Sequence, residues 1–312
     1  MKINKVAVIG AGAVGTSIAF DIILQGICDE LLMIDINKAK AESEVLDLKH
    51  CTGYSNSSIK IKCGEYSECS DADIVVITAA APLIKGQTRL DMLSTAKKIT
   101  KSIVDPIMQS GFNGHFVIVT NPVDIISYYV YKLSGLPKNK IIGTGTALDS
   151  ARLKVLLADL IGVEAKSVQA YTIGEHGDSQ FIPWSTASIG GKQFDDILLD
   201  NKERLDGFDP DGILEEIKKS GWKIADVKGT TNYGIAATTV DIIKSILNDE
   251  SKVIPVSAFL EGEYGINDVF IGVPAIINRN GISEIVELRL NDEEQSLFNN
   301  SVSILKKYIN QL

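Results

Sequence analysis

Val6-Ala7-Val8-Ile9-Gly10-Ala11-Gly12-Ala13-Val14-Gly15 runs from an apolar strand pattern through three glycines into a helical pattern that continues to Gln25. A G-x-G-x-x-G spacing alone reads equally well as an ordinary glycine-rich turn, so its context decides. The first glycine permits a tight turn, the second lets the main chain approach a pyrophosphate, and the third lets the helix lie close on the sheet. The helix then offers unpaired N–H groups at its positive end to phosphate oxygens. Asp35 lies 20 residues beyond Gly15, at the end of the next strand pattern. A carboxylate there accepts hydrogen bonds from a ribose 2′-hydroxyl. Its charge also repels a 2′-phosphate, and no arginine follows it. Gly10, Gly12, Val14, Gly15 and Asp35 are therefore expected to bind NAD rather than NADP.

The same alternation of strand and helix continues outward. Strands are expected at Lys5–Gly10, Glu30–Asp35, Ile59–Cys63, Ile74–Ala79, Phe116–Val119 and Ile141–Gly143. Helices are expected at Val14–Gln25, Lys38–Lys49, Arg89–Met108 and Val123–Leu133. The strands are rich in Val and Ile and almost continuously apolar, as parallel strands covered on both faces must be. This implies an α/β fold, a Rossmann-type doubly wound parallel sheet. Near Asp149 the texture changes. A helix over Ser150–Ile161 leads into a strand over Val168–Ile173. Later strands at Val253–Leu260, Val269–Ile277 and Ser283–Glu287 look antiparallel, the last two joined by an Asn280-Gly281 turn. A final helix starts at Asn291 with a capping box completed by Glu294, and aligns Phe298, Val302, Leu305 and Ile309 on one face. The expected organisation is an NAD-binding domain over 1–145 and an α+β substrate domain with antiparallel strands over 146–312.

Composition excludes several functions. With 312 residues, 45% apolar and 23% charged, the chain has the make-up of a globular protein with a sizeable core. The longest apolar run, Ile74–Ile84, is broken by Thr78 and Pro82 and falls short of the ~18 residues of a membrane span. No secretory signal is expected, because the first residues lead straight into a strand. The four cysteines, at 28, 51, 63 and 69, form no CxxC pair and read as reduced thiols of a cytoplasmic protein. A net charge of −9 disfavours nucleic acid and anionic membranes as partners. An anionic substrate would need a few well-placed arginines.

One of the three histidines lies in Gly174-Glu175-His176-Gly177-Asp178-Ser179, after an apolar stretch. Imidazole takes and returns a proton near neutral pH, and flanking glycines leave the ring open to a ligand. Three further segments follow strands of the first sheet, and so gather at its carboxyl edge where ligands bind. They are Ala79–Asp91, Asn121-Pro122-Val123-Asp124, and Gly143–Arg152 with its Leu148-Asp149-Ser150-Ala151-Arg152. Taken singly, Asp149 reads as a helix N-cap, Arg152 as a surface ion-pair residue and Arg89 as a solvated charge. Their co-occurrence with the histidine turn and the glycine loop reverses that reading. His50 and His115 are expected to be structural.

In these segments the chain resembles the L-lactate/malate dehydrogenase family, on its lactate branch, from the Gly10 turn to the final helix. The resemblance implies a fold, a cofactor (NAD) and a small 2-oxo or 2-hydroxy acid substrate. It implies His176 as proton carrier, Asp149 as its orienting partner, Arg152 as clamp for the substrate carboxylate and Arg89 as polariser of the carbonyl from a loop. Asn121 and Thr231 would line the substrate pocket with Leu83. Lys40, Tyr66, Ala80, Thr120, Asn121 and Thr144 would join the glycine loop around the cofactor. No metal is implied, and a homo-oligomer, specifically a homotetramer, is. Asp149 should raise the pKa of His176 above its ordinary value.

The chain departs from the family pattern at four positions. Leu83 stands where the lactate branch usually has glutamine and the malate branch arginine. It disfavours oxaloacetate and opens the alternative of larger apolar acids such as L-2-hydroxyisocaproate. Ala80 replaces a glycine. Lys154 and Gln169 replace an arginine and a histidine that bind fructose 1,6-bisphosphate in many bacterial relatives. From other classes, a non-catalytic NAD-sensing scaffold would not need His176, Asp149, Arg152 and Arg89 together. A metal-assisted glycosidase would want a metal cluster that three scattered histidines do not supply.

Overall fold

Valine- and isoleucine-rich runs form the centre of the molecule. In the computed structural model, residues 3–55, 57–81 and 89–312 are described, with backbone alone for 89–92. Six parallel strands come first: β1 (Lys5–Ile9), β2 (Glu30–Ile34), β3 (Lys60–Cys63), β4 (Ile74–Ile77), β5 (His115–Ile118) and β6 (Ile141–Gly143). They lie side by side in the order β3-β2-β1-β4-β5-β6. All of β1 and β4 is buried, because helices cover both faces. Those helices include α1 (Ala13–Gln25), α2 (Lys38–Cys51), α3 (Arg89–Gln109) and α4 (Val123–Ser134). Each expected strand and helix of this half appears, with ends shifted by at most two residues. The chain order reverses between β1 and β4, which sets the loops after these two strands apart as a ligand crevice.

The second half begins with α5 (Ala147–Ile161), then a small antiparallel sheet of β7 (Val168–Gln169), β8 (Ser188–Ile189) and β9 (Lys192–Gln193). The strand expected over Val168–Ile173 is thus cut to two residues. The reason is local: the Thr172 N–H donates to Ser150 Oγ (2.9 Å), so the chain is tied to α5 instead of a ladder. Next come α6 (Phe194–Asp200), α7 (Pro210–Lys228) and α8 (Tyr233–Leu247), none of which the sequence reading identified. α8 packs on α1, and Asn232 Nδ2 donates to Ser17 Oγ (2.7 Å) across that contact.

The remaining strands are β10 (Lys252–Glu261), β11 (Asn267–Asn278) and β12 (Gly281–Ile285). They extend the first sheet beyond β6, antiparallel, through the pair Ser257–Gly143. A tight turn at Arg279-Asn280 joins the last two, one residue earlier than expected, and Gly281 opens β12 at φ +88°. α9 (Asp292–Ile309) opens with the Asn291–Glu294 capping box. It buries Phe298, Val302, Leu305 and Ile309, each contributing about 1.5–3 kcal/mol against exposure. Among the described residues no helix is long and apolar enough to cross a membrane.

Candidate active site

The glycine loop joins β1 to α1 at the switch point. Gly10 adopts φ +109°, and a Cβ on Gly15 would stand 1.9 Å from the Gly10 carbonyl oxygen, so neither position accepts a side chain without rearrangement. Gly12 is different: nothing stands within 4 Å of where its side chain would begin. Gly12 caps α1 without a side-chain hydrogen bond, which leaves the first N–H groups of the helix free to meet an anion over open space. Asp35 lies beside this loop. Its Oδ2 accepts from the Ala11 N–H (2.6 Å) and its Oδ1 from the Asn37 N–H (2.8 Å), which fixes the carboxylate and leaves lone pairs for sugar hydroxyls. Tyr66 is half-buried near it; burial, then the Asp35 charge, pushes its phenol above the ordinary range. The open cradle over Gly12 and the anchored acid fit an NAD pyrophosphate and adenosine ribose.

Other expected cofactor residues follow the neighbouring strands. Thr120 is buried and donates to the Ile77 (3.2 Å) and Ala79 (2.9 Å) carbonyls, bracing the turn after β4 against that after β5. Ala80 and Asn121 are exposed at the same edge, Asn121 preceding a cis Pro122. Thr144 is buried after β6, its N–H bonded to the Ile118 carbonyl (2.8 Å). Val14 is half-buried in the first turn of α1, and Lys40 is exposed in the first turn of α2.

α5 and the 174–179 turn bring the chemistry together. His176 Nδ1 lies 2.6 Å from Asp149 Oδ2, and Arg152 Nη1 lies 3.0 Å from Asp149 Oδ1. Asp149 is 1% exposed, Arg152 18% and His176 28%, so the acid is sealed beneath an imidazole and a guanidinium that reach the surface. An ionised carboxylate only accepts, so Nδ1 carries the proton and Nε2 is left to exchange one with a ligand. Burial works to lower the His176 pKa, but the charge and hydrogen bond of Asp149, helped by Asp124, reverse it, and the net direction is upward. Burial likewise works to raise Asp149, and His176 and Arg152 overcome it, holding the acid below the usual carboxylate range. Asp149 is therefore no N-cap; Thr146 occupies that place, and Asp149 sits three residues in, with its side chain committed to His176 and Arg152. Arg152 is no surface ion-pair residue.

Thr231 lies half-buried between α7 and α8. Leu83 lies outside the described residues. Arg89 opens α3, and its side chain lies outside them as well.

Four residues that sequence reasoning passed over belong to this region. Asp124 accepts from the His176 main-chain N–H (2.8 Å), and Ser257 on β10 donates to its other oxygen (2.6 Å). Ser301 on α9 accepts from the Glu175 N–H (2.6 Å) and so steadies the histidine turn. Gly221 on α7 faces Arg152: a Cβ there would stand 3.7 Å from Arg152 Nη2. The segment containing Asp124 had been singled out, but nothing in it indicated partners in distant elements.

A dinucleotide fold whose second half presents a carboxylate-oriented histidine defines the class of nicotinamide-dependent dehydrogenases. The model of the lactate/malate dehydrogenase NAD binding domain matches residues 4–143, and that of the lactate/malate dehydrogenase alpha/beta C-terminal domain matches 146–312. The chain belongs to the lactate/malate dehydrogenase family. It is 50% identical over 306 residues to L-lactate dehydrogenase 3 of Bacillus thuringiensis subsp. konkukian, covering 98% of this chain and 97% of that one. It is 48% identical over 305 residues to L-lactate dehydrogenase 2 of Bacillus anthracis, covering 98% and 97%. Among solved structures, the ligands-bound form of a minor L-lactate dehydrogenase from Enterococcus mundtii superposes with a TM-score of 0.96 at 42% identity, covering 100% of this chain and 99% of that one. A lactate dehydrogenase from a Medee basin deep-sea metagenome gives 0.96 at 40% identity, covering 99% of each.

Proposed function

We propose that this chain is an NAD-dependent L-2-hydroxyacid dehydrogenase that interconverts pyruvate and L-lactate. The observation that carries the reading is the arrangement His176–Asp149–Arg152, a proton carrier and a guanidinium held by one buried acid. When bound, the nicotinamide of NAD would supply or accept the hydride. In reduction, His176 gives its proton to the substrate oxygen that becomes the hydroxyl; in oxidation it takes that proton back. Asp149 orients the ring and stabilises the imidazolium. Arg152 grips the substrate carboxylate with the planar fork that a carboxylate matches. Arg89 polarises the carbonyl, and Asn121 and Thr231 line the pocket with Leu83. Gly10, Gly12, Val14, Gly15, Asp35, Lys40, Tyr66, Ala80, Thr120, Asn121 and Thr144 hold the cofactor. The cofactor half spans 1–145 and the substrate half 146–312, a division supported by where the two family models meet.

A second reading, that 2-oxo acids larger than pyruvate are also taken, rests on the identity of residue 83, where the apolar Leu83 replaces the polar residues usual in the family. Family membership and the four free thiols support a cytoplasmic homo-oligomer, a tetramer by resemblance. An NADH-oxidation assay with pyruvate, 2-oxobutyrate, 2-oxoisocaproate and oxaloacetate tests the substrate. Turnover of pyruvate and its apolar homologues with little use of oxaloacetate is expected. Oxaloacetate as the best substrate, or no turnover with any of the four, would overturn the reading.

A further inference from the structure

Beneath the histidine turn lies an acid for which the proposed reaction has no task. Asp124 is 2% exposed in the first turn of α4. Its Oδ2 accepts from the main-chain N–H of His176 itself, and its Oδ1 from Ser257 Oγ, which is fully buried where β10 joins β6. Three elements thus converge on one carboxylate: the start of α4, the sheet junction and the loop that carries the proton. The α4 N-terminus favours a negative charge at this position. The charged groups facing it are His176 and Glu175 from the turn, with Asp149 and Arg152 from α5 on the far side of the imidazole.

Two main-chain or hydroxyl donors do not require a charge. An asparagine would keep one acceptor oxygen for the His176 N–H, and its NH2 could donate to a turned Ser257 hydroxyl, so the geometry alone could be served without a charge. A carboxylate adds a negative charge, in a setting where water screens little. We propose that Asp124 is a positioning residue that holds the His176 main chain and, in its ionised form, adds a second negative charge to that of Asp149 in stabilising the protonated imidazole. This rests on the reading of His176 as the proton carrier. Burial pushes the Asp124 carboxyl up to about 6, against the pull of its two hydrogen bonds and of His176, so the charge is present at neutral pH and lost in mild acid.

The test is the Asp124→Asn variant of the full chain, with kcat/KM for pyruvate reduction and lactate oxidation followed over roughly pH 5 to 9. Loss of a nearby charge moves a pKa by about half a unit or more. The midpoint of the alkaline limb of reduction, and that of the rising limb of oxidation, should therefore both move to lower pH by that amount, with NADH affinity unchanged. Reduced rates with both midpoints in place would mean that Asp124 acts through geometry alone, and would overturn the proposal. Should the variant not fold, proton NMR of the wild-type protein serves instead, since the chain has only three histidines. The His176 titration should then show a second inflection near the pH at which Asp124 takes its proton. A single-step curve would overturn the coupling. This measurement needs no substrate, so it remains informative even if the enzyme proves inactive on 2-oxo acids.

Discussion

At the scale of single residues, one buried carboxylate serves an imidazole and a guanidinium, and the site's pH behaviour follows from that. Asp149 lifts the His176 pKa above the ordinary histidine value. Reduction needs the protonated ring, so its kcat/KM should hold below that raised pKa and fall as pH rises through it; oxidation should rise over the same interval. His176→Asn removes the proton carrier and should lower kcat by about 100- to 10,000-fold. NADH affinity should barely change, because the ring is bonded to α5 and not to the glycine loop; an equal loss in NADH affinity and turnover would mark the histidine as structural. Asp35→Ala removes the anchored acid beside Ala11. NADH should bind more weakly and its kcat/KM advantage over NADPH should narrow, while an unchanged ratio would refute the placement of the ribose. Glycine loop, Asp35 and His176 were all legible in the chain because each is a local pattern: a turn before a helix, an acid ending a strand, a histidine between glycines. Asp124 was not. Its partners lie 52 and 133 residues away, and no local pattern reports a contact that the fold alone creates.

Among the elements, the parallel strands declared themselves because burial on both faces demands unbroken apolar runs. α7 did not, although Asp209 caps it, Pro210 opens it and Gly229 closes it. Its Ile213, Leu214, Ile217 and Ile224 fall at helical spacing, with Ile213 and Leu214 packed beside the buried Ile217, so the stripe was present in the chain and was missed in the second half. The same helix carries the clearest local departure from helix-forming preference near the site. A glycine in a helix interior costs about 1 kcal/mol relative to alanine. Gly221 accepts that cost opposite Arg152, where an alanine methyl would make ordinary contact with the guanidinium. Gly221→Ala should therefore stabilise the protein by about 0.5–1 kcal/mol. Its methyl would touch the Arg152 guanidinium, which grips the carboxylate shared by all 2-oxo acids, so any change in kcat/KM should be the same for pyruvate and 2-oxoisocaproate. A thermal melt and the substrate panel read both effects; a loss confined to 2-oxoisocaproate would show that the substrate side chain reaches this helix.

For the whole molecule, the joining of β10–β12 to the parallel sheet sets the histidine turn against the cofactor edge, since Gly174 bonds Gly272 on β11 in both directions (2.9 Å each). Control from outside this frame needs an effector site, and the residues at the resembling positions argue against one for fructose 1,6-bisphosphate. Lys154 is half-buried with its ammonium 5.4 Å from the centre of the Tyr171 ring. Burial first, and then the charge of Lys252, push its pKa below the ordinary lysine value. Lys252 itself is engaged with Asp241 (2.6 Å). Gln169 is exposed on β7 and carries no charge at any pH. A phosphate at this place would meet one ammonium already packed on an aromatic face, no bidentate fork and a molecule of net charge −9. Little or no activation is expected. Pyruvate saturation curves near neutral pH, with and without millimolar fructose 1,6-bisphosphate, should superimpose. A several-fold fall in apparent KM on adding it would mean that other residues assemble the anion site, and Lys154→Ala in the same assay would show whether this lysine is among them.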